Sequence, residues 1–336
     1  MKLRIGVIGQ GRDWQSRYLP ALRSMRDRFQ VVGIYNSVSM LADAVARELD
    51  AERFDSFRAV LESSSLDAVL VLEDDWYQMM PLFAACDYGK AVFCGAELNF
   101  DPNTANQIRN QIQSSGIAFM TEFPRRFAPA TLRLKELIAT RLGSPRLLFC
   151  HRRLACESKD APKARSLDSR SQRELLELID WCNYIVADSP SWIQAIQHTS
   201  SQLPSYSDYQ ILSLGFGSPE NDSKAILAQI SCGAYIPEVW HEAIAFRPPA
   251  AIQVCCEKGV AFIDLPTTLV WFDEAGRHQE TLDTELSVGQ QMLGQFHRSI
   301  TSLVRKSNDL EDTCRALHIL DLAKKSTNLG ARVTIS

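Results

Sequence analysis

Leu3-Arg4-Ile5-Gly6-Val7-Ile8-Gly9-Gln10-Gly11 is an apolar, β-type run that leads straight into two glycines. A helix-like segment follows, from Arg12 to about Leu22. Strand, glycine turn and helix in this order open a dinucleotide-binding fold, because glycine lets the backbone approach a pyrophosphate at a helix N-terminus. The motif is incomplete. Trp14 stands where a third glycine or alanine is expected. An indole there either crowds the packing of helix on strand or turns outward to cover the ribose.

Working outward, short apolar runs alternate with helical patterns through residues 1–120. Phe29–Tyr35 reads as a strand ending at Asn36-Ser37, and 40–49 as a helix with apolar residues at 41, 45 and 49. Leu66–Leu72 is a buried-strand pattern, Met79–Tyr88 a helix closed by Gly89, and Ala91–Cys94 another strand. Asn103–Ser114 is a helix stopped by Gly116, and Ile117–Met120 a further strand. Such alternation predicts a parallel sheet covered on both faces.

The pattern changes near residue 121. A helix over 129–141, a strand over 146–151, a polar loop over 155–172 and a helix over 173–186 come next. Alternating segments at 192–198, 224–232, 251–256 and 260–265 predict an antiparallel sheet, with Gly259 turning between the last two. A helix over 310–326 closes the chain. The expected fold class is α/β, with a Rossmann dinucleotide-binding domain over 1–121 and an α+β domain with a large, mostly antiparallel sheet over 122–336.

A length of 336 residues is ample for two domains. The net charge of −4 gives no reason to expect nucleic acid or an anionic membrane as partner. The first apolar run ends near Ile8, too short for a signal sequence, and no stretch has the length of a spanning helix. The nine cysteines are scattered without metal-type spacing, so reduced thiols and a cytoplasmic location are expected. The six histidines are isolated and no Gly-x-Ser-x-Gly occurs, which sets aside a metal site and serine hydrolase chemistry.

The order of elements resembles the Gfo/Idh/MocA family of oxidoreductases along the whole chain. Gly9-Gln10-Gly11 and Leu19-Pro20-Ala21-Leu22 look like its cofactor loop and first helix. Asp67-Ala68-Val69 and Gly89-Lys90-Ala91-Val92 fit its fourth strand and the approach to its fifth. Phe123-Pro124-Arg125-Arg126-Phe127-Ala128-Pro129 is similar to its crossing into the second domain. Glu257-Lys258-Gly259 and Ser326-x-x-x-Gly330-Ala331-Arg332-Val333 match late landmarks. The resemblance implies NAD or NADP as cofactor, a small-molecule substrate, and a homo-oligomer, dimer or tetramer, paired through the open face of the second sheet. The alternating apolar residues at 226–230 and 252–256 are expected to supply that face.

The family's working residues are largely replaced. Its Glu-Lys-Pro aligns with Gly95-Ala96-Glu97, so the lysine position is Ala96. Its Asp, His and further Asp on a later helix correspond to Arg173, Glu177 and Asp180, and a histidine after the fourth strand corresponds to Gln78.

Residue by residue, Gly9, Gly11, Arg12, Trp14, Asn36, Ser37, Glu73 and Gly95 are the candidates for cofactor binding. Arg12 is placed to offset phosphate charge. Asn36-Ser37 replaces the acid that holds the adenine ribose of NAD and leaves NAD or NADP open. Glu73-Asp74-Asp75 lies on the crevice edge, where three acids disfavour a nearby pyrophosphate; the plainer reading is a solvated loop or a helix N-terminal acid cluster favoured by the dipole. Arg173, Glu177, Asp180 and Tyr184 share one helix face opposite Leu175, Leu178, Cys182 and Ile185. Glu97, Glu177 and Asp180 are the acid/base candidates, against the plainer reading of surface ion pairs. Glu122, Arg125, Arg126 and Arg173 are substrate candidates, with the two adjacent arginines suited to a carboxylate or phosphate, or to a salt-bridge cluster. Residues 146–173 hold eight Lys or Arg against three acids, which fits an anionic substrate or a solvated loop. Two functions remain in view: an NAD(P)-binding oxidoreductase with non-standard acid/base residues acting on a small polar, sugar-like substrate, and a degenerate homologue that binds a ligand or assists assembly.

Overall fold

The computed structural model describes residues 1–73, 77–95, 102–156, 166–200, 207–217, 225–246, 248–264, 266–302 and 309–335. The first half of the chain runs β1 (Leu3–Ile8), α1 (Leu19–Ser24), β2 (Phe29–Tyr35), α2 (Ser39–Leu49), β3 (Glu52–Arg53), α3 (Phe57–Glu62), β4 (Ala68–Val71), α4 (Met80–Asp87), β5 (Ala91–Cys94), α5 (Pro102–Ser115) and β6 (Phe119–Thr121). It continues through α6 (Pro129–Leu137), β7 (Pro145–Cys156), α7 (Ser166–Val186), β8 (Pro190–Ser200), β9 (Ser207–Phe216), β10 (Ile226–Pro237) and α8 (His241–Ala245). β11 (Ile252–Cys256), β12 (Gly259–Ile263), β13 (Thr268–Asp273), β14 (Gly276–Thr281), α9 (Val288–Thr301), α10 (Asp309–Leu329) and β15 (Val333–Thr334) complete it.

These elements form two compact units, Met1–Pro124 with Leu286–Cys314, and Arg125–Glu285 with Arg315–Ser336. The first is an all-parallel six-stranded sheet in the order β3-β2-β1-β4-β5-β6. Every residue of β4 and β5 is buried, as expected of strands covered on both faces. The strand order reverses direction between β1 and β4, which puts a topological switch point at their carboxyl ends.

α9 returns to this first unit, and the sequence reading assigned no element there. Its start is nonetheless legible: Ser287 and Gln290 form a reciprocal capping box. A Cβ on Gly289 would press on the Arg17 carbonyl oxygen, so α9 lies close against the start of the first helix. Phe296 of α9 meets Phe93 of β5 edge-on, at a centroid distance of 5.7 Å.

The second unit holds a nine-stranded sheet in the order β14-β13-β12-β11-β7-β10-β9-β8-β15. Its pairs are antiparallel except β7 with β10, which run parallel with Leu227 opposite Leu147. α7 covers one face, burying Leu175, Leu178, Ile179, Cys182 and Ile185 in the same core as Leu148, Cys150, Ala228 and Ile230. Three expectations change. Residues 166–172 are helical rather than loop, because α7 begins at Ser166. Glu257-Lys258 make the turn before β12, whereas Gly259 is already in the strand, where a Cβ would strike the Phe272 carbonyl oxygen. The expected outward-facing apolar residues point inward: Ala228, Ile230, Ile252 and Val254 are buried, while Leu147, Phe149, Ile196, Leu227 and Phe272 are exposed. The two-residue side-chain period decides this, since a one-residue difference in register exchanges the faces. Among the described residues no helix is long and apolar enough to cross a membrane.

Candidate functional site

Gly9 and Gly11 both stand in the left-handed region, with φ of +71° and +61°. Glycine alone adopts it without steric cost. Packing imposes a second requirement. A Cβ on Gly9 would overlap the Cβ of Glu73, and one on Gly11 would overlap the Leu72 carbonyl oxygen. The turn is therefore pressed onto the carboxyl end of β4, and the Gly9 N–H donates to the Tyr35 carbonyl at 2.8 Å. Gln10 donates from its backbone N–H to Glu73 Oε2 at 3.4 Å and from its side chain to the Leu41 carbonyl at 3.0 Å.

Trp14 turns inward, with 2% exposure. Its Nε1 is buried with no hydrogen-bond partner among the described residues. Residues Trp14–Tyr18 are wound as a π-helical turn, with the Leu19 N–H bonded to the Trp14 carbonyl. The wider turn suits a bulky residue where the fold otherwise brings helix onto strand, and such turns recur at functional sites. Arg12 is exposed on the turn and Ser37 is exposed at the end of β2. Asn36 is buried, its Oδ1 accepting the Val38 N–H at 2.8 Å.

Beside the turn, Arg17 pairs with Asp13 at 3.1 Å and with the buried Glu122. Glu122 Oε2 and the Tyr18 hydroxyl converge on Gly95, where a Cβ would find them at 3.0 and 3.1 Å. Sequence reasoning named Glu122 as a substrate candidate and Gly95 as a cofactor candidate but missed Arg17, Asp13 and Tyr18. The Asp13/Arg17 spacing of four was the available signal. Gln78, in place of the expected histidine, has φ +44°. Ala96, Glu97, Asp74 and Asp75 lie outside the described residues.

In the second unit the structure brings α7 together with the short turn after Arg125. Arg126 grips Asp180 through two hydrogen bonds, Nε to Oδ2 at 2.6 Å and Nη2 to Oδ1. Arg125 donates to Glu174 at 2.7 Å and lies 3.5 Å from Glu177, while Arg173 donates to Glu177 at 3.3 Å. Arg152 stands 3.4 Å from Glu174. The guanidinium groups of Arg125 and Arg126 also lie over the rings of Trp181 and Tyr184, each at 5.4 Å. Burial alone would lower the Arg125 pKa, but Glu177 and Glu174 outweigh it and the pKa is raised. The face read from the sequence is thus assembled as a lattice of charges. Asp180 is 1% exposed, against 12% for the side chains of Glu174 and Glu177. A guanidinium against a carboxylate favours its charged form, which suits positioning and proton acceptance better than proton donation. No described group of His, Cys, Asp or Glu is arranged to hold a metal ion.

Comparison with known proteins agrees with this frame. Residues 3–123 match the model of an oxidoreductase family with an NAD-binding Rossmann fold. A D-xylose 1-dehydrogenase (NADP(+)) of Haloferax volcanii is 28% identical over 42% of this chain and 43% of its own. An inositol 2-dehydrogenase of Saccharopolyspora erythraea is 26% identical over 63% of this chain and 62% of its own, so the chain spans about half the length of these curated relatives. Among solved structures, the aldose-aldose oxidoreductase of Caulobacter crescentus superimposes with a TM-score of 0.82 at 14% identity, covering 100% of both chains. An oxidoreductase of Thermotoga maritima gives 0.78 at 17% identity, covering 99% of this chain and 98% of that one.

Proposed function

With residues 3–123 forming an NAD-binding domain of the Gfo/Idh/MocA oxidoreductase family, we propose that the protein binds NAD or NADP and transfers hydride to or from a small polar substrate of the sugar or polyol class. The observation that carries this reading is the Gly9-Gln10-Gly11 turn, held in left-handed geometry at the switch point between β1 and β4. A dinucleotide fits the frame, and when bound it supplies the hydride chemistry. The chain then has to bind, orient and manage one proton. The backbone of Gly9–Gly11 would hold the pyrophosphate, with Arg12 offsetting its charge. Asn36 and Ser37, both neutral, admit either cofactor. Glu177 is assigned the proton step, steadied by Arg125 and Arg173, while Asp180 fixes Arg126. The xylose and inositol dehydrogenases among the relatives support a polyhydroxylated substrate.

Calorimetry together with intrinsic tryptophan fluorescence during titration with NADH and NADPH tests the reading. Saturable binding is expected; none at millimolar cofactor overturns it. In an aldose and polyol panel, Glu177→Gln should lower turnover by roughly 100-fold or more with cofactor affinity retained. Unchanged turnover would move the proton step to Glu97 or to water.

A second reading, a catalytically degenerate homologue that serves as a ligand-binding or assembly protein, is favoured by two observations. Trp14 is buried at the third-glycine position, and each of Glu174, Glu177 and Asp180 is bound by arginine. Cofactor binding without turnover across the panel would select it. In either case the exposed residues Leu147, Phe149, Ile196, Leu227 and Phe272 support pairing of two copies through the sheet. Light scattering at micromolar concentration should give a dimer or tetramer, and a monomer would refute the pairing. All nine cysteines are free, which fits a reducing, cytoplasmic setting.

A further inference from the structure

Glu73 occupies an unusual place for an acid. It directly follows Leu72, whose N–H is bonded to the Ile8 carbonyl at 3.0 Å and whose own carbonyl abuts Gly11. The backbone at the carboxyl end of β4 is thereby fixed against the glycine turn. The Glu73 side chain leaves that backbone over Gly9: its Oε2 lies 3.2 Å from the point a Gly9 Cβ would occupy. From there Oε2 accepts the Gln10 N–H at 3.4 Å. Gln10 is the middle residue of the turn, so a carboxylate already takes one of the backbone donors on which an anion would rest.

Neighbouring charge relieves this only in part. Arg17, one helical turn along, is drawn to Asp13 and Glu122. Arg12 is exposed, so water screens what it offsets of the phosphate charge. A diphosphate brought to the turn meets a fixed negative group within a few ångströms, and like charges at that range repel strongly outside bulk water.

We propose that Glu73 is an in-chain competitor for the diphosphate of the dinucleotide: its carboxylate holds the Gln10 N–H in the free protein and is displaced when the cofactor binds. This rests on the nucleotide-binding reading and adds to it a residue that sets cofactor affinity. The competition is specific to phosphate. It weakens a ligand in proportion to the charge placed on the turn and leaves a phosphate-free nucleoside unaffected.

The test compares the full-length wild type with Glu73→Gln and Glu73→Ala by calorimetry at one ionic strength, with NADH and, as phosphate-free control, adenosine. Thermal unfolding of each variant reports that the fold is kept. Glu73→Gln preserves size and removes the charge, and Glu73→Ala removes both. The expected result is NADH affinity tightened by about 10- to 100-fold in both variants, with the response to adenosine unchanged. Equal NADH affinity in the wild type and Glu73→Gln overturns the inference and leaves the nucleotide-binding reading standing. Equal tightening toward adenosine also overturns it, because the effect would not then depend on phosphate. Absence of NADH binding in all three proteins at millimolar concentration overturns the nucleotide-binding reading itself, and this inference with it.

Discussion

The glycine turn of the first unit and the α7 face of the second handle charge in opposite ways. At the turn, the Glu73 carboxylate accepts the backbone N–H of Gln10, and Arg17, in the helical turn that follows, serves Asp13 and Glu122. On α7, Glu174, Glu177 and Asp180 are met by Arg125, Arg126, Arg152 and Arg173. The first region keeps the backbone of a nucleotide site and alters its electrostatics. The second keeps a row of polar side chains and commits them to one another. Backbone geometry is the more durable property here because it answers to packing as well as to ligand. Gly9 and Gly11 are required by the close approach of Glu73 and Leu72, whatever binds above them.

The contrast can be broken at its strongest point by Arg126→Met. Removing the bidentate partner of a carboxylate as buried as Asp180 should cost about 3–5 kcal/mol, read by urea unfolding. A loss below about 1 kcal/mol would put the pair with exposed surface bridges and dissolve the idea of a buried lattice.

A smaller effect tests the turn. Gly11→Ala and Gly89→Ala both place a side chain at positive φ, +61° and +63°, which by itself costs about 1–2 kcal/mol. Gly89 has open space around the added Cβ, whereas Gly11 meets the Leu72 carbonyl. Overpacking should therefore make Gly11→Ala the worse variant by about 1–3 kcal/mol. Equal losses would show that the turn yields, and that packing does not demand its glycine.

The smallest effect separates the lattice from the other side of the same sheet. Arginines and carboxylates do not ordinarily titrate near neutrality. His151 on β7 does; its Nδ1 is 2.7 Å from Ser231 Oγ and its Nε2 accepts from Arg153 at 3.4 Å. Burial, and then Arg153, lower its pKa from the ordinary 6.5. The unfolded chain therefore takes up the proton more readily. Stability is fully present above pH 6.5 and declines as the pH falls from there toward the folded-state value. A melting temperature that drops between pH 6.5 and 5, and drops less in His151→Asn, is expected. An identical profile in the variant would show that His151 is not the source of the pH dependence.

Much of the first unit is readable because its signals are local. Continuous apolar runs gave β4 and β5, and the two glycines after β1, Gly9 and Gly11, gave the turn. The 4, 3, 4 spacing of Arg173, Glu177, Asp180 and Tyr184 placed them on one face before any contact was known. α9 was missed although Ser287 and Gln290 signal its start, since the intervening Gly289 reads as a breaker until its contact with Arg17 is seen. β9, β13 and β14 were also unassigned. Half-exposed strands show weak alternation, and β14 buries none of its residues.

The sequence by itself determined the lineage of the fold, the glycine geometry at Gly9 and Gly11, and the residues that would face one another on α7. Each follows from φ/ψ preference or helical period, which a residue and its near neighbours settle. Only the tertiary structure decided that Trp14 turns inward, that Glu73 lies on the turn, and which arginine holds which carboxylate. Arg126 and Asp180 are 54 residues apart in the chain, and Arg17 and Glu122 are 105 apart. Pairings at that range are chosen by the packing of whole elements, and no local pattern encodes them.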